Sequence, residues 1–330
     1  MTASALEPTR SPRRWLLWGL WLALSVALAV AVGNLAWTEI LERLSRLRLL
    51  WVAAAIAANF VILPLWAAEW RLLVPAAFRV AYGRMFGIVA VTASVLNAVP
   101  FFAGEASAVG LLIARGGLSR SAAASVLALD QLLVALAKLL TLAAATFFVA
   151  LPAWLRAGVL SLLIGFVVLL ITLVVLAHAW QMLQTWITPR AGRVRSLIAS
   201  IAAWGGHLDA IRQWRRAAPA VMLAVLKKCA EIAAILATQL AFGLDPSLAA
   251  AVLIVASLAV TTLLPASPAN LGVYEATVFA AYRYVGVPAD AAVGLAVVQH
   301  VCFLLPSVVT GYIVATLAQL RRPERARLLS

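Results

Sequence analysis

The chain has 330 residues, 65% of them hydrophobic and 12% charged, with a mean hydropathy of +1.03 and a formal net charge of +14. Soluble domains carry about 25% charged residues, and buried fraction rises too slowly with length to hide this much apolar surface, so the bilayer must solvate most of the chain. Disorder is excluded by the same composition, and Arg residues clustered between apolar runs read as topology signals and not as a nucleic-acid surface.

In chain order, Arg10, Arg13 and Arg14 precede an uncharged stretch, 15–37, too long for a signal-peptide core; it is expected to be a retained anchor, with 1–48 as anchor helix and amphipathic connector. Further runs of spanning character follow at 49–74, 85–103, 119–151, 153–178, 217–243, 247–264 and 288–320. Two shorter apolar pieces, 104–116 and 268–285, follow Pro-containing breaks and hold Glu105 and Glu275. The segment 179–216 is basic and Trp-rich, as expected of a chain lying along the interface. Cys229 and Cys302 stand far apart inside apolar stretches and suggest no disulfide or metal framework.

If all eight long runs span, the Arg residues divide 11 to 12 between the two faces. If instead 85–116 and 247–285 are re-entrant hairpins, the division becomes 18 on the side of both termini against 5 on the other. The six-span arrangement with two hairpins fits the positive-inside rule better, provided the hairpin tips are covered by protein or line a wet cavity. Those tips hold Asn97, Pro100 and Gly104, and Pro265, Ser267, Pro268, Asn270 and Gly272. In this reading both termini face the cytoplasm.

An internal match supports two units. Gly104-Glu105 followed by Gly117 to Ala124 recurs as Tyr274-Glu275 followed by Gly286 to Val293, at an offset of 169 to 170 residues. Asp130 and Gln131 then fall on Gln299 and His300. The expected organisation is all-α and polytopic, with two inverted helix, hairpin, helix units. The first covers 49–150 and the second 218–320; an extra helix and basic linker at 151–217 separate them, and a basic tail at 321–330 closes the chain. Inverted repeats with broken segments near the midplane mark secondary transporters.

Ionisable groups inside a bilayer cost about 2.5–3.5 kcal/mol each on insertion scales and need a partner or a purpose. Lys227, Lys228 and Glu231 are spaced to neutralise one another on one helix face and read as a structural cluster. Lys138 can pair with Asp130, two turns away, or with another helix. Glu105 and Glu275 each sit in the first turn of a short helix, where a carboxylate is favoured by the helix N-terminus. Beyond capping, two such acids can face a central cavity and bind a cationic headgroup or take up protons. His300 is a packing residue or a proton-responsive group. No phosphate-binding glycine loop, HExxH, G-x-S-x-G or Cys/His metal pattern occurs, so neither an enzyme nor a cofactor or metal is expected.

The run Gly104-Glu105, the turn Gly116-Gly117-Leu118-Ser119 leading to Asp130, and Leu264-Pro265-Ala266-Ser267-Pro268 leading to Leu271-Gly272-Val273 and Glu275 occur in an order that resembles the flippase-like transmembrane domain of the lysylphosphatidylglycerol synthase family. Gly286-Val287, Pro306 and Gly311 complete the resemblance, which covers roughly 15–320. It implies movement of a lipid, such as an aminoacylated phosphatidylglycerol, between leaflets of the bacterial inner membrane; aminoacylation is not carried over to this stand-alone chain. Where the family often has Arg, this chain has Ala108, Gln131, Tyr274 and His300, and the family's usual Gly-Gly is Ala269-Asn270. The expected substrate path is lined by Glu105, Glu275, Asp130, His300, Asn270 and Gln131, with Arg115 and Arg283 at its mouths for a headgroup phosphate. Expected partners are membrane lipids of anionic or polyprenyl-phosphate type, with an oligomer or a partner enzyme also open. The rival functions are a proton-coupled small-solute carrier and a non-transporting subunit of a lipid-modifying enzyme.

Overall fold

The computed structural model describes residues 44–98, 103–186, 214–263 and 267–327, with Thr38 and Glu42 ahead of them. The expected anchor at 15–37 and most of the basic linker lie outside the described residues, as do Pro100 and Pro265 of the hairpin tips. Among the described residues the chain forms nine α-helices and no strand. They are α1 (Leu49–Leu73), α2 (Tyr82–Ala98), α3 (Ala103–Ala114), α4 (Arg120–Phe148), α5 (Ala153–Trp186), α6 (Trp214–Ala241), α7 (Leu248–Thr261), α8 (Val273–Tyr284) and α9 (Ala289–Arg327). A single 3-10 turn, Pro268–Asn270, precedes α8.

Four of these, α1, α4, α5 as far as Thr172 and α9 as far as Leu320, are long and apolar enough to cross a membrane. The 217–243 run folds as α6, but Lys227, Lys228 and Glu231 set it apart from those four on composition. The arms α3, α7 and α8 have 12, 14 and 12 residues. At 1.5 Å per residue each is about 18–21 Å long, short of a hydrocarbon core of about 30 Å.

Sequence sets the packing faces. In α1, Ala55, Asn59, Leu63, Ala67 and Trp70 form a buried stripe, while Leu49, Leu50, Phe60 and Val61 on other faces stay exposed as lipid-facing residues do. In α4 the stripe runs through Ala122, Val126, Leu129, Leu133, Ala137 and Thr141, and Ser119 caps its start by accepting from the Ala122 N–H. Every residue of α7 from Ala250 to Ala259 is buried, so this short helix is enclosed on all sides by protein. The turns before α4 and α9 both place a glycine at positive φ, Gly117 at 72° and Gly286 at 88°, a conformation that only glycine adopts without steric cost.

The helix pairing is two-fold in pattern. Exchanging α1 with α6, α2 with α7, α3 with α8 and α4 with α9 carries each well-packed pair among these eight into another: α2 on α9 becomes α7 on α4, and α1 on α4 becomes α6 on α9. The most extensive interface, α1 against α6, maps onto itself. One apolar cluster gathers α1 to α4 with the start of α6, and a second gathers α7 to α9 with the end of α4 and α5. Close approach along the α2–α9 seam depends on Gly311, where a Cβ would run into Ser94 and the Ala90 carbonyl.

Candidate functional site

Ahead of α8 the described part of the second tip, 267–272, forms a tight turn. Ala269 and Asn270 take φ of 54° and 55°, Gly272 takes 84°, and the Ser267 hydroxyl donates to the Leu271 carbonyl at 2.8 Å. Glu275, at the third position of α8, accepts the Gly272 N–H on Oε2 at 2.7 Å, as in a capping box. Its other oxygen, Oε1, meets His300 Nδ1 at 2.6 Å, and the opposite ring nitrogen, Nε2, meets the Ala269 carbonyl at 3.0 Å. Both nitrogens of one buried imidazole therefore face oxygen atoms. Tyr274 stacks on the ring with centroids 4.1 Å apart, and Phe303 stacks beyond it. Gln299 donates to the Tyr274 hydroxyl at 3.0 Å, and the Tyr282 hydroxyl donates to the Gln299 carbonyl oxygen.

At the first hairpin, Glu105 is half-buried in the opening turn of α3, and its Oε2 is buried with no donor among the described residues. Gly104 lets α3 approach α2, since a Cβ there would strike Leu96. Asn97 donates to Ser307 of α9 at 2.9 Å, and the 3-10 turn of the second tip packs on α2. Asn270 also presents a buried Oδ1 without a donor among the described residues. Arg115 is half-buried at the end of α3 and Arg283 exposed at the end of α8, where it donates to the Val287 carbonyl at 2.8 Å. Gln131 lies exposed on α4.

Asp130 is placed elsewhere, between α1 and α4. Its Oδ1 accepts from the indole N–H of Trp66 at 2.9 Å and of Trp70 at 2.8 Å. On the same helix as those indoles, Glu69 is fully buried and pairs through Oε1 with Lys227 at 2.9 Å, while its Oε2 has no partner among the described residues. The expected Lys227–Glu231 neutralisation is thus corrected: Lys227 crosses to α1, where a buried carboxylate would otherwise stand uncompensated, and Glu231 pairs with Lys228 alone, at 2.5 Å. Lys138 makes no hydrogen bond or ion pair with Asp130, whose Oδ1 is taken by the two indoles.

Sequence reasoning passed over Glu69, Trp66 and Trp70, and noted Tyr274 only for standing where the family often has Arg. Glu69 stands near the end of its run, beside Arg71, and so resembles an interfacial acid. The signal that could have found it is the i,i+4 spacing of Trp66 and Trp70 around it, which puts two indole donors next to an acid on one helix face.

No curated protein and no solved structure matches the chain. A family model, that of the lysylphosphatidylglycerol synthase TM region, matches residues 16–311. With nearly the whole chain covered by that match, this membrane protein belongs to the lysylphosphatidylglycerol synthase transmembrane family, and its role is a lipid-related one.

Proposed function

We propose that the chain carries a phospholipid or lipid-linked intermediate between the leaflets of the bacterial inner membrane, through a polar midplane cavity between two re-entrant hairpins, without catalysing a reaction. The observation that carries this reading is that, among the described residues, each hairpin presents a buried acceptor without a donor, Glu105 Oε2 at the first and Asn270 Oδ1 at the second. Buried acceptors left unpaired are destabilising, and a headgroup offering ammonium or hydroxyl donors relieves them on entry. Arg115 and Arg283 end the second arms of the two hairpins, and each can meet a headgroup phosphate. The two-fold pairing of the helices supports alternating exposure of one site to the two faces.

The test is leaflet exchange of labelled anionic, aminoacylated and polyprenyl-phosphate lipids in liposomes holding the purified protein. The native protein is expected to accelerate exchange of at least one class, and a folded Glu105→Gln/Glu275→Gln variant is expected to lose it. Absence of exchange for every lipid would overturn the reading; substrate-dependent proton flux without lipid movement would identify a solute carrier, and stoichiometric co-purification of an enzyme an accessory subunit.

A further inference from the structure

We propose that His300, Glu275 and the Ala269 carbonyl form a proton-binding site that holds the second hairpin tip closed, so that one proton is bound in the closed state and released when the tip opens. The inference rests on the translocation reading only for its use, and on hydrogen-bond counting for its existence. A neutral imidazole has one N–H, yet both ring nitrogens of His300 face oxygen, Glu275 Oε1 at 2.6 Å and Ala269 O at 3.0 Å. Both contacts are hydrogen bonds only if the pair carries two protons: an imidazolium against a carboxylate, or a neutral ring donating to Ala269 and accepting from a protonated Glu275. Either form holds one proton more than a neutral ring beside a carboxylate. Removing it deprives either the Glu275 contact or the Ala269 contact of its donor.

The contact that gives way is the one to Ala269, because Glu275 is also held by the Gly272 N–H, whereas Ala269 sits in a left-handed turn. The proton enters and leaves by way of Glu275, whose side chain is 28% exposed while His300 is 2% exposed. The groups around the ring are few. From α8 come Glu275 and the stacked Tyr274; from α6, Glu231, already paired with Lys228, lies within electrostatic range of Tyr274. Among the described residues, α1 and α2, the other helices packed on α9, make no hydrogen bond or ion pair with His300, whose ring nitrogens meet Glu275 and Ala269.

The experiment reads the tip itself. Buried Ser267 is replaced by Cys in a Cys229→Ser/Cys302→Ala background, and its rate of maleimide labelling in nanodiscs is followed from acid to alkaline pH. Glu275→Gln is the reference at each pH, since its carboxamide donates to Nδ1 and leaves Nε2–H for Ala269, satisfying both contacts with no extra proton; the ratio also cancels thiolate chemistry. The ratio of labelling with Glu275 to labelling with Glu275→Gln is expected to rise about tenfold with pH, the change expected for loss of one buried hydrogen bond. His300→Leu is expected to label fast throughout. A ratio constant with pH, or a His300→Leu tip that stays protected, would overturn the proton site. Lipid exchange that persists beside a constant ratio would remove the proton site and leave translocation standing; a pH-dependent tip in a protein that moves no lipid would do the reverse.

Discussion

In the first half of the molecule Asp130 of α4 receives two indole N–H groups from α1; at the matching position of the second half Gln299 of α9 holds Tyr274 and Tyr282 of α8. Each anchors a long helix to an aromatic pair, but the neighbouring charges are managed differently. Glu69 is 0% exposed and faces a fixed cation, Lys227, so its compensation is built into the packing of α1 against α6. Glu275 faces an imidazole whose charge depends on a proton, and its own side chain is partly exposed. Indole and ammonium groups keep their donors under ordinary conditions, whereas a histidine changes its donor count with one proton. A repeated scaffold thus holds one polar site that fastens helices and one that can respond to its surroundings.

The largest effect is expected from breaking the fixed half. Glu69→Ala leaves the half-buried Lys227 without its carboxylate, with only the Trp66 ring beside it, and is expected to destabilise the protein by about 3–5 kcal/mol, read as a lowered Tm in detergent. Replacing both partners, Glu69→Met with Lys227→Met, is expected to recover most of that loss, because two apolar side chains leave no charge to compensate. A double-mutant cycle with no coupling energy would show that the contact contributes nothing.

The next effect compares the two anchors directly. Each substitution leaves two aromatic polar groups unpaired, but Asp130→Leu removes two hydrogen bonds to a carboxylate, worth about 1.5–3 kcal/mol each, while Gln299→Leu removes neutral bonds worth about 0.5–1.5 kcal/mol each. Asp130→Leu is therefore expected to lower Tm more than Gln299→Leu. Equal shifts would mean that the charge on Asp130 adds nothing to its hold on α1.

Much of the helix pattern was legible because apolar runs end where Pro, Gly and Arg cluster: the run 49–74 appears as Leu49–Leu73, and the piece 268–285 as a 3-10 turn followed by Val273–Tyr284. The contact of Glu275 with His300 was within reach once the two residues were singled out, although only the fold shows that they touch across 25 residues. Glu69 and Lys227 were not legible as a pair, since they are separated by 158 residues and meet only through the rotation of α1 against α6. The i,i+4 spacing of Lys227 and Glu231 pointed to a local pair; tertiary packing overrode it because a surface-type pair on one helix is worth about 0.2–0.5 kcal/mol, far less than leaving Glu69 buried and bare. The same limit applies to Ala269, whose part in the tip is played by a backbone carbonyl that no side-chain pattern reports.

The smallest expected effect sharpens the comparison at that carbonyl. Ala269 and Asn270 both take positive φ. Asn tolerates this region through its short polar side chain, but Ala does so at a cost of about 1–2 kcal/mol. Ala269→Gly removes that strain, while the freer unfolded chain of glycine takes back about 0.5–1 kcal/mol. The net change in Tm is expected to be small and upward. Its effect on the tip is expected to be clearer than its effect on the whole fold, because relieving the strain favours the closed turn locally: Ser267→Cys labelling slows, most visibly at alkaline pH, where the proton no longer fastens Ala269 to His300. Faster labelling at every pH would mean that the Ala269 methyl group supports the closed tip.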